Sequence, residues 1–163
     1  MLNHTAFVNL YNKDQKIFTD LFQVVSLGEL TSKIIKISKN FKELSYIDDN
    51  KVKGDLFEIF AEGFFKILAA DSRIGVYNYQ PGPPTDDYGV DGFGLGMDGK
   101  PCTIQVKFRS NKKDVLVQED IKQFAFQSIV NYGVDKDTRT NMIVLTNSDG
   151  LHWNTEGHVF AGR

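Results

Sequence analysis

At 163 residues the chain is long enough to bury one hydrophobic core, and its 41% hydrophobic and 25% charged residues exclude a disordered or fibrous sequence. A formal charge of −2 argues against a protein whose main task is to coat nucleic acid, so affinity for DNA has to be local or come from a partner. The single cysteine, Cys102, excludes an internal disulfide and a thiolate zinc cluster, leaving oxygen as the main ligand for any metal.

No apolar run approaches the ~20 residues that span a bilayer, and the first residues lack the basic-then-apolar order of a secretion signal. A soluble, cytoplasmic protein without membrane contact is expected.

From Asp14 to about Phe41 the apolar residues Ile17, Phe18, Leu21, Phe22, Val25, Leu30, Ile34, Ile37 and Phe41 recur every three or four positions, which predicts two helices broken near Gly28. Lys33, Lys36, Lys39 and Lys42 fall on one stripe of the second helix, expected to be a solvated face. After Asp48-Asp49-Asn50, a capping sequence, a third helix is predicted from about Lys53 to Ala70. Its apolar side is Leu56, Phe57, Phe60, Phe64, Ile67 and Leu68; Glu58 and Glu62 share a polar face one turn apart.

Ile74 to Tyr79 reads as a short strand, and Gln80 to Thr85, with three prolines, as a loop. Tyr88 to Gly96 and Pro101 to Arg109 read as two strands of a hairpin turning at Met97 to Lys100. In the second, Cys102, Ile104, Val106 and Phe108 alternate with Thr103, Gln105, Lys107 and Arg109, so an apolar face packs on helices and a polar face carries the candidate site. Helical spacing returns from Val115 to Tyr132 and stops at Gly133; Met142 to Leu145 is a short apolar strand.

The expected fold is α/β, a central mixed sheet flanked by helices. Residues 1–50 would form a helical extension packed on a core of residues 51–163. The tail from Ser148 shows no clear period, and an ending at Phe-Ala-Gly-Arg without a closing helix is expected of a fragment.

Cutting a phosphodiester needs oxygens for a divalent cation, a positive charge for the attacking water and the pentacoordinate phosphate, and room for the backbone. Asp91 lies between Gly89 and Gly92, which would let a polymer backbone come close. One hairpin later, Gln105 and Lys107 leave the next strand on one side. Glu58, on the preceding helix, faces away from the Leu56/Phe60 stripe and would complete the charge through water. Lys107 would orient the water and offset charge on the phosphorane.

Gly89-Val-Asp91-Gly, followed by Thr103-Ile-Gln105-Val-Lys107-Phe and preceded by Gly54-Asp-Leu-Phe-Glu58, resembles the PD-(D/E)XK nuclease superfamily. The likeness is to its Mrr-like restriction endonuclease group, in which glutamine replaces an acidic residue, and runs from about Gly54 to Thr146. It implies a restriction-endonuclease-like core and a Mg²⁺- or Mn²⁺-dependent DNA endonuclease of restriction or homing type. Asp91, Gln105 and Glu58 would be metal ligands and Lys107 the catalytic lysine. The helix after the lysine strand, with Gln123 near its middle, also falls where the family has one. In two respects the chain departs from the pattern: no proline directly precedes Asp91, and Gln105 is neutral. DNA is the implied partner, with a homodimer or an attached helicase, methyltransferase or targeting module in a prokaryotic or phage setting.

Arg109, Lys112 and Lys113 are candidate phosphate contacts, with Gln123 a further candidate nucleic-acid contact. Asp86 and Asp87 suit a turn, Glu62 a solvated neighbour and Lys100 a turn. His4, His152 and His158 lack zinc-site spacing, and Cys102 should be core. The rival readings are a Holliday-junction resolvase-like nuclease, an inactive nuclease-fold binding module, and an α/β interaction domain.

Overall fold

The computed structural model describes residues 16–42, 48–69, 74–83, 89–136 and 141–150. Asp86, Asp87, Trp153 and the three histidines lie outside these residues.

Three helices come first: α1 (Lys16–Phe22), α2 (Leu27–Lys42) and α3 (Asp49–Ile67). The break between α1 and α2 precedes Gly28, which sits inside the first turn of α2. The cause is a capping arrangement: Ser26 Oγ accepts the Glu29 amide at 3.1 Å and the Glu29 carboxylate accepts the Val25 amide at 3.0 Å, so the helix starts ahead of the glycine. Lys33 leaves the expected solvated stripe. Its ammonium donates to the carbonyls of Asp20 (3.1 Å) and Gln23 (2.8 Å) at the end of α1, while Lys36 and Lys39 stay exposed.

Asp48 caps α3 by accepting the Asn50 amide at 3.0 Å, so that helix begins four residues ahead of the expected start. Leu56, Phe57, Ala61 and Phe65 of α3 pack with Leu21, Leu30, Ile34 and Ile37 of α1 and α2, and with Cys102, Ile104 and Val106 of the sheet. The N-terminal helices thus share one continuous core with the sheet.

The sheet contains β1 (Tyr77–Pro81), β2 (Gly92–Leu95), β3 (Pro101–Lys107) and β4 (Met142–Thr146), in that spatial order. β1 to β2 and β2 to β3 are antiparallel; β3 to β4 is parallel, crossing over through α4 (Gln118–Val130). The α/β layout with a mixed sheet agrees with the expectation. β1 starts later than expected and includes Gln80 and Pro81, assigned above to a loop. As the edge strand it has one side without a partner, where a proline's missing donor is tolerated.

The even-numbered residues of β3 face α3, as expected. The odd-numbered ones are not an open polar face: Thr103 is fully buried, its hydroxyl donating to Ser128 of α4 at 2.8 Å, and Gln105 is buried as well. α4 covers the side where the sequence placed an exposed site, because a parallel crossover returns its helix over the sheet. Asn147, just past β4, ties the ends together. Its side chain accepts the Arg109 amide at 2.6 Å, donates to the Arg109 carbonyl at 2.7 Å and reaches Thr31 of α2 at 3.1 Å.

Candidate active site

β2 and β3 stay paired only as far as Gly92 and Ile104. Beyond that rung β3 continues to Lys107 with β4 on one flank, and the flank that faced β2 opens. Asp91 stands at this parting. Its amide donates to the Ile104 carbonyl at 2.9 Å, its carbonyl accepts from Gly82 at 2.9 Å, and its carboxylate accepts the Val106 amide at 2.6 Å. A side chain thus continues the ladder where the backbone of β2 has left it, immediately before the strand in which Asp91 was expected.

This bond puts the Asp91 carboxylate beside the peptide between Gln105 and Lys107, close to both positions. By strand alternation Gln105 and Lys107 face α4, whereas Glu58 is carried by α3 on the opposite face. The parting between the strands is reached from both. Glu58 and Asp91 are near enough to repel: burial first, then the Asp91 charge, raise the Glu58 carboxyl to about 7. Asp55, one turn earlier, pushes the same way.

Gln105 is 2% exposed, and its Oε1 has no hydrogen-bond partner among the described residues. A buried carbonyl oxygen without a donor is costly unless something electropositive meets it. Its amide nitrogen approaches Gly89, where an added Cβ would stand 3.2 Å away; Gly89 also has φ +80, which disfavours other residues. Gly92 is constrained differently. A Cβ there would meet the Tyr79 ring at 2.4 Å. Neither glycine therefore serves as the open approach for a polymer that the sequence suggested; both accommodate neighbouring side chains.

Tyr79 was not foreseen. It is buried, stacked on Phe65 at 5.3 Å, with its ring across Gly92. Burial and the carboxylates of Glu62, Asp91 and Glu58 raise its pKa, so the hydroxyl remains a protonated donor beside the acids. The signal for it was faint: an aromatic residue in β1 opposite a glycine of β2.

Lys107 is half-buried, its carbonyl accepting the Thr146 hydroxyl at 2.8 Å. Two residues on, Arg109 is paired with Asp120 of α4 at 2.6 Å and is not free for phosphate, contrary to the expectation. Lys112 holds a loose, exposed contact of 3.7 Å with Asp149, and Lys113 and Gln123 are exposed. Glu62 pairs with Lys66, and Lys100 lies at the hairpin turn; Cys102 is buried, burial pushing its thiol up to about 12.

Among the described residues no three of His, Cys, Asp and Glu form a metal-binding group. A cation at the parting would therefore depend on the Gln105 amide oxygen together with Asp91 and Glu58. That donor set fits a hard divalent ion, because two mutually repelling carboxylates and an unpartnered buried oxygen are each relieved by positive charge. Compared with protein-family models, curated proteins and solved structures, the chain matches none.

Proposed function

We propose that the chain is a divalent-cation-dependent phosphodiesterase acting on DNA, a nuclease of the PD-(D/E)XK type with a glutamine at the second ligand position. The observation that carries this reading is the Asp91 carboxylate on the Val106 amide, between Gln105 and Lys107. Glu58, raised to about 7 beside Asp91, and the unpartnered Gln105 Oε1 add support.

Asp91, Glu58 and Gln105 would hold Mg²⁺ or Mn²⁺, which when bound polarises a phosphoryl oxygen and lowers the pKa of water. The chain's own part is positional and electrostatic. Asp91 stays fixed by its bond to the strand, Glu58 gives up its proton as the cation binds, and the Lys107 ammonium steadies the attacking water and the charge on the pentacoordinate phosphate. With one such site per chain, cutting both strands needs two copies or two events.

Plasmid nicking with Mg²⁺ or Mn²⁺ tests this: wild type cuts, while Asp91→Ala, Lys107→Ala and wild type in EDTA do not. Equal cutting by wild type and both variants rejects the assignment. One observation favours a second reading, a nuclease-fold module that binds DNA without cutting: Gln105 is neutral and covered by α4. That module binds DNA equally with and without EDTA.

A further inference from the structure

Lys107 and Arg109 leave the end of β3 on one side, two residues apart, toward the first turn of α4. The acid they meet there is Asp120. One carboxylate oxygen takes the Arg109 guanidinium at 2.6 Å and the other accepts the Val117 amide at 3.0 Å, so the group is fixed by the helix start and by the arginine together. Arg109 is held in turn by Asn147, which grips both its backbone amide and its carbonyl. Both side chains of the ion pair are about three-quarters buried, where a carboxylate acts more strongly on a neighbouring charge than it does in open water.

We propose that Asp120 is a positioning residue for Lys107: fixed by Arg109 and the start of α4, its carboxylate holds the lysine ammonium over the parting between β2 and β3. The inference rests on the phosphodiesterase reading, since it gives Lys107 a task there. The charges on the page agree. Burial alone would raise the Asp120 carboxyl, yet Arg109, the Val117 amide and the charge of Lys107 hold it below the usual carboxylate range.

This arrangement separates the roles of the two cations. Arg109 is spent on the carboxylate and acts as a strut. Lys107 keeps a free ammonium whose direction is set by a charge lying on the far side of it from Asp91. A lysine on a strand end has four rotatable bonds, and limiting them before substrate arrives is worth more to the rate than to binding.

Asp120→Asn removes the charge and keeps an oxygen for the Val117 amide; Asp120→Glu keeps the charge. In steady-state cleavage of a labelled duplex with Mg²⁺, Asp120→Asn is expected to lose about tenfold in kcat with KM nearly unchanged, and Asp120→Glu to recover part of it. In parallel, Lys107 is acylated at one pH with an amine-reactive ester and quantified by peptide mapping, where Asp120→Asn should react several-fold faster than wild type. Equal acylation overturns the proposal whatever the activity, as does an unchanged kcat. If the wild type cuts no DNA, the phosphodiesterase reading fails by itself, and the acylation comparison still decides whether Asp120 holds Lys107.

Discussion

The carboxylate of Asp91 accepts the backbone amide of Val106 at 2.6 Å, replacing the rung that β2 stops supplying after Gly92. One side chain thus closes the sheet and presents a negative charge at the opening. Those two tasks separate by substitution. Asp91→Ala leaves the Val106 amide without an acceptor, at a cost of about 1–3 kcal/mol, whereas Asp91→Asn retains an oxygen and should cost under about 1 kcal/mol. Urea denaturation reads the difference, and both variants should lose metal-dependent cutting by at least ~100-fold. Full activity in a folded Asp91→Asn protein removes the metal-ligand role.

Glu58 gives a pH signature. Its carboxyl is raised from 4.5 to about 7, so the folded chain holds a proton that the unfolded chain releases near 4.5. The associated stability is present below 4.5, declines as pH rises through about 7 and is gone above it, with a ceiling on the order of 3 kcal/mol. Glu58→Gln removes this decline. Melting temperatures of the two proteins from pH 5 to 8.5 should diverge with rising pH, the variant becoming the more stable, and Mg²⁺ should narrow the gap only in the wild type. Parallel curves would mean that the Glu58 carboxyl is not perturbed.

The residues of the site were legible where periodicity carries information. Glu58 follows from helical spacing on α3, and Gln105 with Lys107 from strand alternation on β3. Burial was not legible, because alternation says which side a residue takes and not what covers that side; α4 lies over Thr103 and Gln105, which are as buried as Ile104. Tyr79 and Asp120 escaped for a related reason, since their partners, Gly92 and Arg109, are distant in sequence and meet only through the sheet and the crossover. The start of α2 was written locally in Ser26-x-x-Glu29, and Gly28 distracted from it.

Gly92 and Tyr79 supply a packing prediction next to the site. A Cβ at Gly92 would lie 2.4 Å from the ring and 2.7 Å from the hydroxyl of Tyr79, and the ring is backed by Phe65, so it has little room to retreat. Gly92→Ala should cost about 1–3 kcal/mol by overpacking. In Gly92→Ala/Tyr79→Ala the clash is gone, so the double variant should be more stable than the sum of the single losses, a coupling of about 1 kcal/mol or more in a double-mutant cycle. Additive losses would place the ring elsewhere.

The sharpest consequence concerns Gln105, whose Oε1 is buried without a partner among the described residues. Gln105→Glu puts a carboxylate where the amide oxygen stands, nearly isosteric but charged. Without metal at pH 8 it should destabilise the fold by about 2–3 kcal/mol, the cost of ionising a buried acid whose pKa burial has raised by about two units. A divalent cation at the parting reverses that cost by binding only the folded form, with about 2.7 kcal/mol returned at a hundredfold excess over Kd. Titrating Mg²⁺ in a thermal melt should therefore raise the midpoint of Gln105→Glu by several degrees more than that of the wild type. Ca²⁺ serves as the control for a hard cation that supports binding in a larger coordination sphere. If Mg²⁺ shifts both proteins equally, the oxygen at position 105 does not face the cation, and the ligand set reduces to Asp91 and Glu58.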